Sequence, residues 1–269
     1  MVDRFRIGIL QFAASVSKRD NLEKVRGMLT SSRVDADIIV LPEYSMADIT
    51  GLRPEDVYKI SEGLDGGWVE SFMELSREYG SHILCTMFED TGRPPKVYNT
   101  ALIIKDDRIL GVYRKIHLYD AYGFRESRYM DPGDRPMDIV DIGLKTGVAI
   151  CFDIRFPELF RYYSLKGADM VIIPAGWMRG PMKEEALRTL GSARSHENTI
   201  FTVIAVQYSE IYTGRSMVID PYGNIMYDAG IGEKYVEVEV DPGTILEARR
   251  RLPILKLINM DIYRLFLDF

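Results

Sequence analysis

Cysteine and histidine are scarce in this chain of 269 residues, which has two cysteines, Cys85 and Cys151, and three histidines. Two thiols cannot build a disulfide framework, and such sparing use fits a reducing cytoplasm. There is no Cys-x-x-Cys, no His-Glu-x-x-His and no run of histidines, so the sequence predicts no zinc or other metal site and no cofactor. Long apolar runs are missing as well. DMVIIPAGWM at 169–178 is among the longest and is far shorter than a membrane span. The first ten residues, MVDRFRIGIL, lack the basic region and long apolar stretch of a secretory signal. Positive charge is in deficit, with 34 Lys and Arg against 40 Asp and Glu, a net charge of −6 and a pI near 5.3. That balance argues against a nucleic-acid surface. The one notable basic run, Arg249 to Arg251, reads as a solvated helix face. No Gly-x-Ser-x-Gly elbow occurs, which disfavours a serine hydrolase. Serine- or glycine-rich linkers and internal repeats are also absent.

What is present is an ordinary globular composition, 46% hydrophobic and 28% charged, in short β-type runs alternating with helical ones. RFRIGILQF (4–12) reads as a first strand. Asp20 and Glu23 suggest a capping box for a helix whose buried stripe is Leu22, Val25, Met28 and Leu29. DIIVLP (37–42) is apolar after its first residue, as a strand buried on both faces would be. A helix over 69–80 stops at Gly80 and leads into the strand 82–88, where Cys85 is a core residue. VYNTALIIKDDRILGVYRK (97–115) predicts two strands joined at Asp106-Asp107. The stretch 119–137 is polar, tyrosine-rich and broken by Gly and Pro, hence a long loop, and such loops usually serve function. Strands at 138–142 and 146–151, a helix at 157–166, a strand at 169–174, a helix at 183–197 and strands at 200–206, 215–220, 224–228 and 235–240 complete the pattern. The expected fold is one α/β domain over 1–269, with two β-sheets face to face and helices outside. The apolar tail from Ile245 to Phe269, with Leu252, Ile254, Leu255, Leu257, Ile258, Leu265 and Phe269, predicts packing on the body of the domain and across a homodimer interface.

Three strand ends carry reactive groups. Cys151 ends the apolar run GVAIC and precedes FDIRFPEL, where Pro157 suits the first turn of a helix. A side chain at such a strand–turn–helix junction is pushed into open space while its backbone stays anchored. VLPEYS (40–45) presents Glu43, and GVYRKIHLYD (111–120) presents Lys115. A thiol is mostly protonated at neutral pH and needs a base to attack a carbonyl. Glu43 can be that base if burial and a second carboxylate raise its proton affinity. The ammonium of Lys115 can stabilise a thiolate and the oxyanion of a tetrahedral intermediate, and the amide N–H of Phe152 can be a second oxyanion donor. Singly, these residues also read as a strand end, a solvated lysine and a core cysteine; together they predict covalent thiol catalysis.

VLPE (40–43), YRKIHLYD (113–120) and AICFDIRFPEL (149–159) resemble the three signature segments of the nitrilase superfamily of carbon–nitrogen hydrolases. GRSMVIDPYGNI (214–225) and EVDPGTILEARRRLPIL (239–255) are similar to its later blocks, so the resemblance runs nearly end to end. It implies Glu43 as general base, Lys115 as oxyanion stabiliser and Cys151 as nucleophile. It also implies a four-layer αββα sandwich that dimerises through its helices. Glu126, in GFRESRYMDPG (123–133), matches a fourth carboxylate that holds the lysine and positions substrate. Cys-Phe-Asp rather than Cys-Trp-Glu after the nucleophile is similar to the ω-amidase and deaminated-glutathione amidase branch, although Arg215 stands where that branch generally has His.

The function this implies is hydrolysis of a small amide, one bearing a distal carboxylate, to an acid and ammonia through a thioester on Cys151. Arg155 is a candidate anchor for that carboxylate; pairing with Glu158 is its other reading. An N-carbamoyl amidohydrolase and a non-catalytic interaction module on the same fold are the alternatives.

Overall fold

The structure, a computed structural model, describes residues 4–267. Its first half runs β1 (Phe5–Gln11), α1 (Lys18–Thr30), β2 (Ile38–Val40), α2 (Pro54–Ile60), α3 (Gly67–Tyr79), β3 (His82–Asp90), β4 (Val97–Lys105) and β5 (Arg108–Arg114). A two-stranded ribbon follows, β6 (Asp120–Ala121) and β7 (Phe124–Arg125), then β8 (Val140–Asp141) and β9 (Lys145–Val148). The second half runs α4 (Pro157–Leu165), β10 (Met170–Ala175), α5 (Lys183–Asn198), β11 (Phe201–Val206), β12 (Met217–Ile219), β13 (Ile225–Asp228) and β14 (Lys234–Val240). Helices α6 (Gly243–Arg251), α7 (Ile254–Leu257) and α8 (Met260–Leu267) close the described chain.

These strands make two six-stranded sheets, in the orders β14-β1-β2-β3-β4-β5 and β13-β12-β11-β10-β9-β8. Each is parallel at its centre, β1-β2-β3 in one and β9-β10-β11 in the other, and antiparallel towards its edges. The period-2 alternation of strand side chains decides which residues meet. Phe5, Ile7, Ile9, Ile38, Val40, Leu84, Ala101 and Ile103 of the first sheet share one buried cluster with Val148, Ile172 and Val203 of the second. Leu10, Ile39, Ile83, Cys85, Leu102 and Ile104 face the other way, onto Val25 and Leu29 of α1 and Trp68, Phe72 and Leu75 of α3. Each of the Val, Leu, Ile and Phe side chains among them contributes roughly 1.5–3 kcal/mol when buried. The result is two sheets face to face with helices outside, as the alternation predicted, in the four-layer αββα sandwich that the family resemblance implied.

One contact fixes how α4 lies on the second sheet. The Tyr163 ring covers Gly147, where a Cβ would come within 2.7 Å of it, and the Tyr163 hydroxyl donates to the Val148 carbonyl at 2.7 Å. That clamp sets the angle of the turn between β9 and α4.

Several local expectations need correction. The N-cap of α1 is Ser17, whose hydroxyl accepts from the Asp20 amide; Asp20 lies inside the first turn, so Asp20 and Glu23 are not a capping box. Serine at that position satisfies an orphan amide that the acidic pair only flanks. The run predicted as a strand over 146–151 ends at Val148, because Cys151–Arg155 already forms a 3-10 turn. The stretch 119–137 is not wholly irregular, since it holds the β6-β7 ribbon and a 3-10 turn at Glu126–Arg128. Helix α2, opened by Pro54, had no counterpart in the sequence reading. In the tail, Leu257 is exposed while Leu252, Ile254, Leu255 and Ile258 are half-buried. The side chain of Leu265, and Phe269 altogether, lie outside the described residues.

Candidate active site

Glu43 sits in the turn after β2, Lys115 directly after β5, and Cys151 three residues beyond β9. Although Glu43 and Lys115 belong to one sheet and Cys151 to the other, all three line a single cavity of about 270 Å³. Cys151 opens its 3-10 turn with φ of +44°, and Tyr44 beside the base has φ of +60°. Left-handed backbone at two non-glycine residues in one site is local strain of the kind that the surrounding contacts must hold in place.

The innermost layer is a buried cluster of charge. Lys115 Nζ is 2.8 Å from Glu43 Oε1 and 2.8 and 3.0 Å from the two oxygens of Glu126. All three side chains are at most 1% exposed, so an unpaired charge here would be costly. The remaining lone pairs are met by fixed donors. Asn99 Nδ2 donates to Glu43 at 2.8 Å and to Glu126 at 3.2 Å. The Gly176 amide donates to Glu43 Oε2 at 2.7 Å, and the Tyr44 hydroxyl and Tyr119 amide donate to Glu126 at 2.9 and 2.6 Å. Gly176 is closely approached, since a Cβ would lie 3.0 Å from the Tyr44 ring and 3.3 Å from Glu43, and those side chains would have to give way. Burial opposes the charge on Lys115, but Glu126 and Glu43 outweigh it and hold the ammonium well above the ordinary lysine value. Burial and the facing Glu43 carboxylate push the Cys151 thiol well above the ordinary cysteine value, with Lys115 pulling the other way. A thiol in that state keeps its proton at neutral pH.

The cavity has two unlike walls. Tyr44, Ile49, Phe124, Tyr129 and Tyr212 make one largely apolar side. On the other, the Arg155 guanidinium lies 4.3 Å from the centre of the Trp177 ring and 5.2 Å from that of Phe152. Lys183 Nζ lies 3.9 Å above the Tyr122 ring, with Tyr119 and Trp177 also near. Cation–π contacts orient both groups without neutralising them, and among the described residues neither makes an ion pair. Burial, with Arg155 adding to it, lowers the Lys183 pKa.

The structure thus brings together Glu43, Lys115, Cys151, Glu126, Phe152 and Arg155. Glu126 is buried rather than exposed on its loop. Arg155 faces the cavity and has no ion pair with Glu158. Arg215, the departure noted in the sequence, lies at φ +59° and bonds Glu184 and Asp228, beside the cavity's Lys183. Cys85 is fully buried and free, and burial raises its thiol pKa. Sequence reasoning missed Asn99, Tyr44, Lys183 and Asp153. Asn99 left one trace, an amide in the otherwise apolar run of β4. No group of three or more His, Cys, Asp or Glu among the described residues is arranged to hold a metal ion.

A sequence model described as carbon–nitrogen hydrolase matches residues 6–250. The chain is 31% identical over 249 residues to the deaminated glutathione amidase of Escherichia coli O157:H7, which spans 91% of this chain and 94% of that protein. It is 30% identical over 277 residues to an omega-amidase of Xenopus tropicalis, spanning 97% of each. The crystal structure of Saccharomyces cerevisiae Nit3, a member of branch 10 of the nitrilase superfamily, superposes with a TM-score of 0.81 at 26% identity, over 96% of this chain and 97% of that one.

Proposed function

We propose that Cys151, Glu43, Lys115 and Glu126 carry out the chemistry of the carbon–nitrogen hydrolase family, to which this chain belongs. The chain is an enzyme that hydrolyses amides. The observation that carries the assignment of residues is the buried cluster: one ammonium held by two carboxylates, beside a thiol at the floor of the cavity.

Because the thiol rests protonated, attack must be coupled to proton transfer. Glu43 takes the Cys151 proton as the sulfur bonds to the amide carbon. Lys115 and the Phe152 amide N–H stabilise the resulting oxyanion, each such donor contributing roughly 3–4 kcal/mol to lowering the barrier. The carbon–nitrogen bond then breaks, the protonated Glu43 gives its proton to the leaving nitrogen, and ammonia departs. Glu43, again a carboxylate, activates water against the thioester, and hydrolysis releases the acid and restores the thiol. Glu126 keeps Lys115 in place for the developing oxyanion by accepting from it with both oxygens.

The substrate we propose is a small amide with a carboxylate at its far end. The unneutralised Arg155 and Lys183 support this reading, Arg155 offering two parallel donors to a carboxylate. Scarce, unpaired cysteines favour a reducing compartment, and we place the enzyme in the cytoplasm as one domain. The groove that Tyr162 and Leu165 of α4 line together with Ile258, Met260 and Tyr263 favours a homodimer. Ammonia release from half-amides of four- and five-carbon dicarboxylic acids tests the function. Cys151→Ala, which removes one small side chain at a turn, should fold normally and show no turnover. Substantial residual ammonia release by that variant would sink the mechanism, and carbon dioxide release from a carbamoylated amine would move the substrate to the carbamoyl class.

A further inference from the structure

Asp153 touches none of the four reacting groups, yet it is fully buried and receives donors from both segments that carry them. Its Oδ2 accepts from the Ile150 amide at 2.8 Å and the Tyr113 hydroxyl at 2.7 Å. Its Oδ1 accepts from the His117 amide at 3.0 Å and from His117 Nδ1 at 2.7 Å. Ile150 immediately precedes Cys151, while Tyr113 and His117 flank Lys115 at two residues on either side. The His117 ring in turn lies flat on Phe156, 3.6 Å between centres at 6°, and Phe156 is the cap residue from which α4 starts. Among the described residues, every hydrogen bond between 113–117 and 150–156 ends on Asp153.

We propose that Asp153, with His117, is the positioning pair of this active site, tying the turn that presents Cys151 to the strand end that presents Lys115. The two segments belong to different sheets, so nothing in either ladder fixes the distance between thiol and ammonium. One carboxylate with four donors does. It also holds the left-handed backbone at Cys151 by accepting from the residue before it. A carboxylate is required because each of its oxygens meets a backbone N–H, which can only donate: an amide at this position would set its NH₂ against one of them.

This inference rests on Cys151 as nucleophile and Lys115 as oxyanion donor, and the experiment separates the two levels. Asp153→Asn and His117→Leu should each lower kcat at least about 100-fold, the loss expected from a misplacement of about 1 Å. KM should stay within about threefold, because the cavity walls that contact substrate are untouched. Alkylation of Cys151 by iodoacetamide without substrate should slow by at least about tenfold. His117→Asn puts an N–H close to where Nδ1–H was, and should recover kcat to within roughly fivefold of wild type. Wild-type kcat and alkylation in folded Asp153→Asn and His117→Leu would overturn the proposal. So would His117→Asn being as impaired as His117→Leu, since ring packing on Phe156 would then be the cause. If Asp153→Asn does not fold, the two His117 variants, at a half-buried position, decide the matter. Turnover surviving in Cys151→Ala would instead refute the assignment of the nucleophile.

Discussion

Replacing Glu43 by Gln changes one atom in the buried cluster, and the structure separates its two costs. Kept in place, the amide oxygen can still accept from Lys115 and Asn99 at the position of Oε1, each 2.8 Å away. The new NH₂ then replaces Oε2 and points at the Gly176 amide, 2.7 Å away, setting donor against donor. Flipping the side chain is worse, because NH₂ would face both the ammonium and Asn99. One buried donor is thus left unsatisfied, which costs about 1–3 kcal/mol of folding stability. The catalytic cost is separate. A general base contributes typically 10²–10⁴ in rate, about 3–5 kcal/mol of barrier, and a raised thiol pKa makes that base indispensable to acylation. Glu43→Gln should therefore unfold at modestly lower denaturant concentration yet form no acyl-enzyme on the time scale of wild-type turnover. Urea titration reads the first effect, and intact-mass spectrometry of enzyme mixed with a half-amide reads the second. An acyl adduct on Cys151 appearing at the wild-type rate would refute Glu43 as the base, whatever the stability shows.

Glu126→Gln should still acylate, but slowly, because one of its oxygens remains to accept from Lys115; wild-type acylation on rapid mixing would remove Glu126 from the mechanism. Arg155→Leu should raise KM for carboxylate-bearing amides by at least about tenfold while leaving uncharged amides unaffected, the loss expected for a charge-assisted pair. Equal effects on both substrates would show that the guanidinium only packs on Trp177. Burial raises the pKa of Tyr44, Tyr113, Tyr163, Tyr212 and Cys85 in the folded protein. Their contribution to stability is complete below the unfolded values of 9.0 for cysteine and 10.0 for tyrosine and is lost as pH rises through the folded ones. The melting temperature should accordingly hold to about pH 9 and then fall; constancy to pH 11 would contradict the burial. Light scattering at micromolar concentration should give at least twice the chain mass of 30.8 kDa, and a mass near that value would rule out the dimer.

Much of this site was legible because strand ends are legible. An apolar run that stops at a charged or nucleophilic residue marks where a sheet presents a side chain, and Glu43, Lys115 and Cys151 all stand at such stops. Glu126 was recognisable only through resemblance to a family, since a glutamate in a glycine-rich loop carries no local sign that it will be buried. The supporting donors were hidden for a different reason. Gly176 and Tyr119 act through backbone N–H groups, which no residue type announces, and Asn99 and Tyr44 act across long sequence separations. Asp153 was in plain view within CFDIRFPEL, but a carboxylate next to a nucleophile invites a catalytic reading more readily than a structural one. The Asp20–Glu23 misreading has the same root as the missed α2: short helices and caps depend on single hydrogen bonds that compete locally, so sequence pattern constrains them weakly.

The first strand of the fold is completed by its last. β1 lies between β2 and β14, and Gln11 at its end bonds the Gly230 and Gly232 carbonyls, 219 and 221 positions away. The base is tied in the same manner, with the Glu43 carbonyl accepting from Gln207 across 164 positions. At a synthesis rate of roughly 5–20 residues per second, β1 leaves the ribosome some ten seconds or more before the strand that will flank it exists. Until then its edge is open to any other extended chain. Closure of so distant a pair is slow in folding, so the nascent protein meets its greatest risk of misassembly before it has any activity to protect. The edge of β1 that β14 will cover is therefore the place where this architecture invites mispairing during synthesis.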